Sequence, residues 1–343
     1  MAWIIGQKSD RRDGETWKEA IEPWDRIQYA NADAGTGLRK GLSLTRKQRE
    51  QTPDAPKLEI GLDVFHIKKE ASTVLARRWK KVEHLWSEAE KTDFVVAEHK
   101  RTGRYAHAPA QKARHAWRRA EEVFEKYERI ESAWRHAEKA LNVFCDDGTL
   151  NDRQRAEEVI REAIEGLPGQ AWAKACRMLQ DPHALTFLDR LHRQLEQAEP
   201  NGELREALLR LWWMRHHDVP KGPGRLPNLP PAAKVVQAVV CQKIAPNWQQ
   251  SYQRVGHVLS HVVRASSLVE CMNSVIRMQQ ARHRHVTQNL LDLKRLWWNC
   301  RRFPTGKRRK RSPYEHLGVQ LPTTGFWSLL KTDPGELTQE VST

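Results

Sequence analysis

The spacing of apolar residues changes character along this chain. Ala2-Trp3-Ile4-Ile5-Gly6 is a short apolar run closed by the polar cluster from Lys8 to Gly14, which predicts a strand followed by a turn. Trp17, Ala20, Ile21 and Trp24 then recur at helical spacing, predicting a helix over 14–24. Residues 26–32 alternate as a strand does and stop at Asp33-Ala34-Gly35-Thr36-Gly37. Leu38 to Glu50 has a helical pattern, Pro53 and Pro56 break it, and Leu58 to Leu62 resumes as a strand. Strand and helix in this alternation predict an α/β unit.

From about Val64 to Arg215 the pattern is helical almost throughout. Breaks at Gly103, Gly148, Gly166-Leu167-Pro168-Gly169, Pro182 and Pro200-Asn201-Gly202 divide it into several helices, and such a series predicts a bundle. Val219 to Pro231 is rich in proline and glycine and reads as a loop. Residues 232–242, 248–263, 267–279 and 287–299 read as further helices, and the chain from Pro304 is basic and then turn-rich.

Composition narrows the function classes. A length of 343 residues corresponds to two domains at about 150 residues each. No apolar stretch approaches the roughly 20 residues of a membrane span, and the start lacks a basic segment leading into a signal-like run. Neither a membrane protein nor an exported one is expected; the expected location is cytoplasmic, with the nucleoid. Cys145, Cys176, Cys241, Cys271 and Cys300 are scattered and odd in number, which speaks against a disulfide scaffold. Lys plus Arg number 58 against 43 Asp plus Glu, and the net charge of +15 points to a polyanionic partner, nucleic acid first. Of the 14 tryptophans, Trp79, Trp86, Trp117, Trp134, Trp172, Trp212 and Trp213 recur about once per helix; they read as core or interhelix anchors, or in one or two cases as platforms for bases.

Candidate chemistry concentrates in Arg264 to Arg277. Ser266 or Ser267 can cap a helix whose buried face is Leu268, Met272, Val275 and Ile276. Glu270, Asn273 and Arg277 then share one polar stripe, either a solvated face or an edge for metal and phosphate. Between Arg282 and Arg311 stand eleven Lys and Arg against the single acid Asp292, an imbalance that favours phosphate contact. His283 and His285 have no neighbouring Cys or acid and are a weak metal signal, Arg215-His216-His217-Asp218 reads as a helix-end cap or surface cluster rather than a metal site, and His66 lacks third and fourth zinc partners. No phosphate-binding glycine loop, Ser-His-Asp set or reactive-cysteine signature is present.

Ser266-Ser267-Leu268-Val269-Glu270, with Asn273 and Arg277, followed by Leu290-Leu291-Asp292-Leu293, Trp298 to Phe303 and Arg311 to Gly318, resembles the C-terminal portion of bacterial insertion-sequence transposases. These are of the DDE type, with an RNase H-like catalytic core. Asp33-Ala34-Gly35-Thr36-Gly37-Leu38 resembles the family's second carboxylate segment, and Asp63-Val64-Phe65-His66 the segment closing the next strand. The resemblance spans the chain, with its specific motifs in about a fifth of it. It implies α/β architecture: an incomplete RNase H-like core interrupted by a large all-α insertion, helix-dominated overall. The core would occupy 1–75 and 246–318, the insertion 76–245 and a tail 319–343.

The resemblance further implies Asp33 and Glu270 as catalytic metal ligands for Mg²⁺ or Mn²⁺. Asn273, Arg277, Arg282, Arg284, Arg301, Arg302, Lys307, Arg308 and Arg309 would meet DNA, and Asp63 and His66 form a possible core motif. Partners would be transposon-end and target DNA and further copies of the chain. The family's first Asp lies two strands before the strand of the second. Ala2 to Gly6 already takes the place of the third strand, so that Asp has no counterpart and an N-terminally truncated transposase is expected. A non-catalytic DNA-binding or regulatory fragment is the alternative, and a helical scaffold unrelated to DNA is the third reading.

Overall fold

Two short apolar segments that each end in aspartate pair with one another. Tyr29–Ala32 (β1) and Glu59–Leu62 (β2) run parallel, with Tyr29 opposite Glu59 and Ala32 opposite Leu62. Parallel neighbours need a crossover, and Thr36–Glu50 (α2) lies between them in the chain. Tyr29 carries its phenol across the pair. A Cβ at Gly61 would stand 2.1 Å from the Tyr29 hydroxyl oxygen, so glycine is the residue that admits this crossing.

The computed structural model describes residues 13–33, 35–216, 229–264, 287–304, 309–319, 323 and 325–332. Helix dominates them, with this two-stranded parallel sheet as the β component. The strand expected at 2–6 and the helix expected at 267–279 lie outside the described residues. The chain divides into two compact units, Met1–Arg26 with Thr36–Pro56 and Ser267–Thr343, and Ile27–Gly35 with Lys57–Ser266.

In the first unit, Gly14–Ile21 (α1) starts at Asp13, whose carboxylate accepts the Thr16 amide at 2.9 Å. That N-cap accounts for an aspartate in the turn before the helix. The α1 and α2 backbones approach closely: a Cβ at Gly41 would lie 2.5 Å from Trp17 Cβ and 2.9 Å from the Gly14 carbonyl oxygen. The same unit contains Gln288–Cys300 (α11), Pro313–His316 (α12) and Phe326–Lys331 (α13). Trp298 is buried and meets Phe303 edge-on at 5.9 Å.

The second unit holds the sheet and the helical block. Val64–Arg101 (α3) and His107–Ala140 (α4) form a long hairpin that turns at Gly103, whose φ of +68° suits glycine. Buried Val82, Ala89 and Val96 on α3, and Ala113 and Ala120 on α4, recur every seven residues, the repeat of a coiled-coil seam. Trp79, Trp86, Trp117, Phe124 and Tyr127 pack along that hairpin, with Trp79 5.2 Å from Tyr127 and Trp86 5.3 Å from Phe124. Trp79 and Trp86 stay half-exposed.

Arg153–Glu165 (α5), Ala173–Leu179 (α6) and Thr186–Ala198 (α7) build one core with the base of the hairpin, centred on Trp172, which is fully buried and stacked on Trp134 at 6.1 Å. Gly202–His216 (α8), Pro231–Ile244 (α9) and Trp248–Ser260 (α10) build a second with the end of α7. These tryptophans are anchors between helices.

The block ends where it began. The Val64 amide at the start of α3 donates to the Arg264 carbonyl at 2.9 Å, and the Arg264 guanidinium donates to the Leu141 carbonyl at the end of α4 at 3.1 Å. The chain thus comes back to the C-terminal end of β2 after about two hundred residues, and most of the described ones between are helical.

Candidate metal centre and basic segment

The parallel register decides what stands at the strand ends. Ala32 pairs with Leu62, so the next residues, Asp33 and Asp63, occupy adjacent positions just past the C-terminal ends of both strands. The Asp63 amide continues the ladder, donating to the Ala32 carbonyl at 2.8 Å. In open parallel sheets, ligands gather outside these carboxyl ends.

The two aspartates differ in surroundings. Asp63 is fully buried and caps α3, its Oδ1 accepting the Phe65 amide at 2.8 Å. A carboxylate at a helix N-terminus is favoured by the amides that face it. His66 follows one turn later, its Nε2 3.8 Å from Asp63 Oδ2. Asp33 is half-buried, and its Oδ1 accepts the Gly35 amide at 3.0 Å, which tightens the turn into α2.

Beneath them the sheet is charged and enclosed. Burial pushes the Tyr29 phenol up to about 12; Arg190 opposes this and Glu59 and Asp63 add to it. The Arg190 guanidinium lies over the Tyr29 ring at 4.9 Å, and Glu59 is held by Arg190 at 3.8 Å and by Arg193. Arg264 is largely buried, and burial lowers its pKa from the ordinary value.

Of the residues expected to act, Asp33, Asp63, His66, Arg301, Arg302 and Arg309 fall in the described residues. Glu270, Asn273, Arg277, Arg282, Arg284, Lys307 and Arg308 lie outside them. Reading the sequence put metal on Asp33 and Glu270 and left Asp63 as a core motif; pairing of the strands puts Asp63 level with Asp33. The signal was present in the chain: two short strands, each followed at once by aspartate, with a helix between. Among the described residues, no group of three or more His, Cys, Asp or Glu gathers as metal ligands.

Among the described residues of the basic segment, several cations already have partners. Arg302 forms a two-pronged ion pair with Glu315, through Nε at 3.0 Å and Nη2. Glu315 also closes a capping box with Ser312, and the Arg302 hydrogen bond, then the Ser312 amide, pull its carboxyl down to about 2. Arg302 is thus committed to holding α12. Arg301 lies over the Trp297 ring at 5.0 Å and is exposed, as is Arg309, beyond which Lys310 donates its amide to the Phe303 carbonyl at 2.8 Å. His216 stacks on Trp212 at 4.2 Å and bonds its carbonyl, the role of a helix-end side chain. Among the described residues no helix is long and apolar enough to cross a membrane. No family model, no curated protein and no solved structure matches this chain.

Proposed function

We propose that the chain is a DDE-type DNA transposase, with an RNase H-like core interrupted by the α3–α10 block and with Asp33, Asp63 and Glu270 as its acidic residues. The observation that carries this reading is the pair of aspartates at adjacent positions past neighbouring parallel strands. A second supports it: the block returns to Val64 at Arg264, and Glu270 follows six residues later in the chain.

The donors fit the expected ion. Carboxylate oxygens suit Mg²⁺ or Mn²⁺, and the paired register brings two of them to the same strand ends. A bound divalent ion supplies activation of water or a 3′-hydroxyl and stabilises the leaving oxygen. The chain's own residues then hold and orient. The Asp63 cap fixes one carboxylate against the helix start, and the Gly35 turn fixes the other. Arg301, Arg309 and the other cations between Arg282 and Arg311 apart from Arg302 neutralise phosphates of transposon-end and target DNA, on which copies of the chain assemble.

The test is nicking of supercoiled plasmid by the full chain with Mn²⁺ or Mg²⁺. Metal-dependent nicking, lost in Asp33→Asn and in Glu270→Ala while duplex binding persists, is the expected result. Salt-dependent DNA binding without nicking in the wild type would replace this reading with a non-catalytic DNA-binding protein, and absence of both would remove it.

A further inference from the structure

One face of α3 is built differently from the rest of the hairpin. Lys69, Ser72, Thr73, Ala76, Arg77 and Lys80 line a shallow groove of about 460 Å³ open to solvent, and all six are exposed. Ser72, Thr73 and Ala76 form a floor of small side chains, while Lys69, Arg77 and Lys80 stand around it as a rim of cations. Small residues admit close approach to a helix, and cations around them set the charge of what approaches.

The acids that could neutralise this rim are turned elsewhere. Glu70 is taken by Lys174 at 2.6 Å, and Glu83 accepts the Trp79 indole at 2.8 Å. Lys68, on the neighbouring face, is paired with Glu138 at 2.9 Å. Lys69, Arg77 and Lys80 have no acidic partner among the described residues; the Lys69 ammonium lies 5.7 Å from the Phe65 ring. A cation rim kept free of acids, on a helix otherwise laced with ion pairs, is complementary to a polyanion. Eleven residues separate Lys69 from Lys80, about 16 Å of helix, and a DNA strand rises about 3.4 Å per nucleotide, so the groove spans roughly five nucleotides.

We propose that this groove seats the phosphodiester backbone of duplex DNA, with Lys69, Arg77 and Lys80 neutralising phosphates and Ser72 bonding their oxygens, while the Thr73 hydroxyl stays on the Lys69 carbonyl at 2.8 Å. It rests on the transposase reading and deepens it. The track begins six residues, under two turns, from the Asp63 cap, so DNA bound at the strand ends continues along the first turns of the helical block.

The experiment is anisotropy of a labelled duplex titrated with the full chain, over salt from about 50 to 200 mM. The variant Lys69→Gln/Arg77→Gln/Lys80→Gln should flatten the log–log salt slope by about 3 and weaken binding more than about tenfold, since each phosphate contact contributes close to 1. Ala76→Glu, which adds a carboxylate to the floor in a helix-compatible residue, should weaken binding as well. Lys69→Arg/Lys80→Arg should retain the slope, and circular dichroism should be unchanged for all, the residues being exposed. An unchanged slope in the triple variant, with a wild type that binds DNA, overturns the groove and leaves the transposase reading standing. A wild type that binds no DNA at any salt overturns both. Loss of poly-glutamate binding with unchanged duplex binding would reassign the groove to an acidic protein.

Discussion

Asp63 performs two separable tasks, and isosteric substitution parts them. Its Oδ1 caps α3 through the Phe65 amide at 2.8 Å, in a side chain with no exposed surface. Asp63→Ala removes the cap, worth about 1 kcal/mol, and orphans a partly buried amide, which costs about 1–3 kcal/mol. The expected loss is roughly 2–3 kcal/mol, or about 5–10 °C in Tm for a unit of this size. Asp63→Asn keeps an oxygen acceptor in the same place, and asparagine caps as well as aspartate, so the expected loss is below about 0.5 kcal/mol. The charge is nevertheless gone. Thermal unfolding with and without Mn²⁺ reads both tasks at once. Wild type should gain about 2.7 kcal/mol at a hundredfold excess over Kd, and Asp63→Asn should gain little, although it melts near the wild type without metal. If Asp63→Asn melts as low as Asp63→Ala, the carboxylate charge is structural, held against His66. If Mn²⁺ stabilises Asp63→Asn as much as wild type, Asp63 does not hold the ion. Either result refutes the assignment.

Other substitutions probe the frame. Trp172→Ala removes the fully buried ring stacked on Trp134 and should cost about 3–5 kcal/mol, measured by denaturant unfolding. Gly41→Ala gains about 1 kcal/mol of helix propensity but drives a Cβ to within 3.0 Å of two α1 backbone atoms and of Trp17 Cβ. Overpacking of about 1–3 kcal/mol should win, lowering stability in the same assay. The Arg302–Glu315 pair should survive deep into acid. The Glu315 carboxyl titrates at about 2 when folded, below its unfolded value near 4.3. Its contribution is therefore full above about 4.3 and is lost as pH falls through about 2. Carbon NMR of the carboxyl should show that midpoint, and Arg302→Ala should raise it toward the ordinary carboxylate range.

Much of the local structure was legible along the chain. The 26–32 and 58–62 patterns became β1 and β2, and Gly103 became the hairpin turn, whereas the capped helix from Ser312 falls in a stretch that reads as basic and turn-rich. The strands and the turn depend on neighbours a few residues away, through alternation or left-handed backbone, so one-dimensional reading reaches them. Charge sums also come from sequence, but the use of each charge does not. Arg302 belongs to a basic run and is nonetheless spent on Glu315, whereas Lys69, Arg77 and Lys80 sit in a mixed-charge segment and form an acid-free rim.

Tertiary structure alone decided the rest. Asp33 and Asp63 are thirty residues apart, and only the parallel register makes them neighbours, since a shift of one residue would turn each side chain to the other face. The return of Arg264 to Val64 is likewise invisible in composition, because a hydrogen bond between residues two hundred apart leaves no periodicity in the chain. The sequence by itself determined a basic, helix-rich chain with a small α/β start and acidic strand ends. Folding determined which acids stand together, which cations remain unpaired by acids, and that the helical block opens and closes at one strand end.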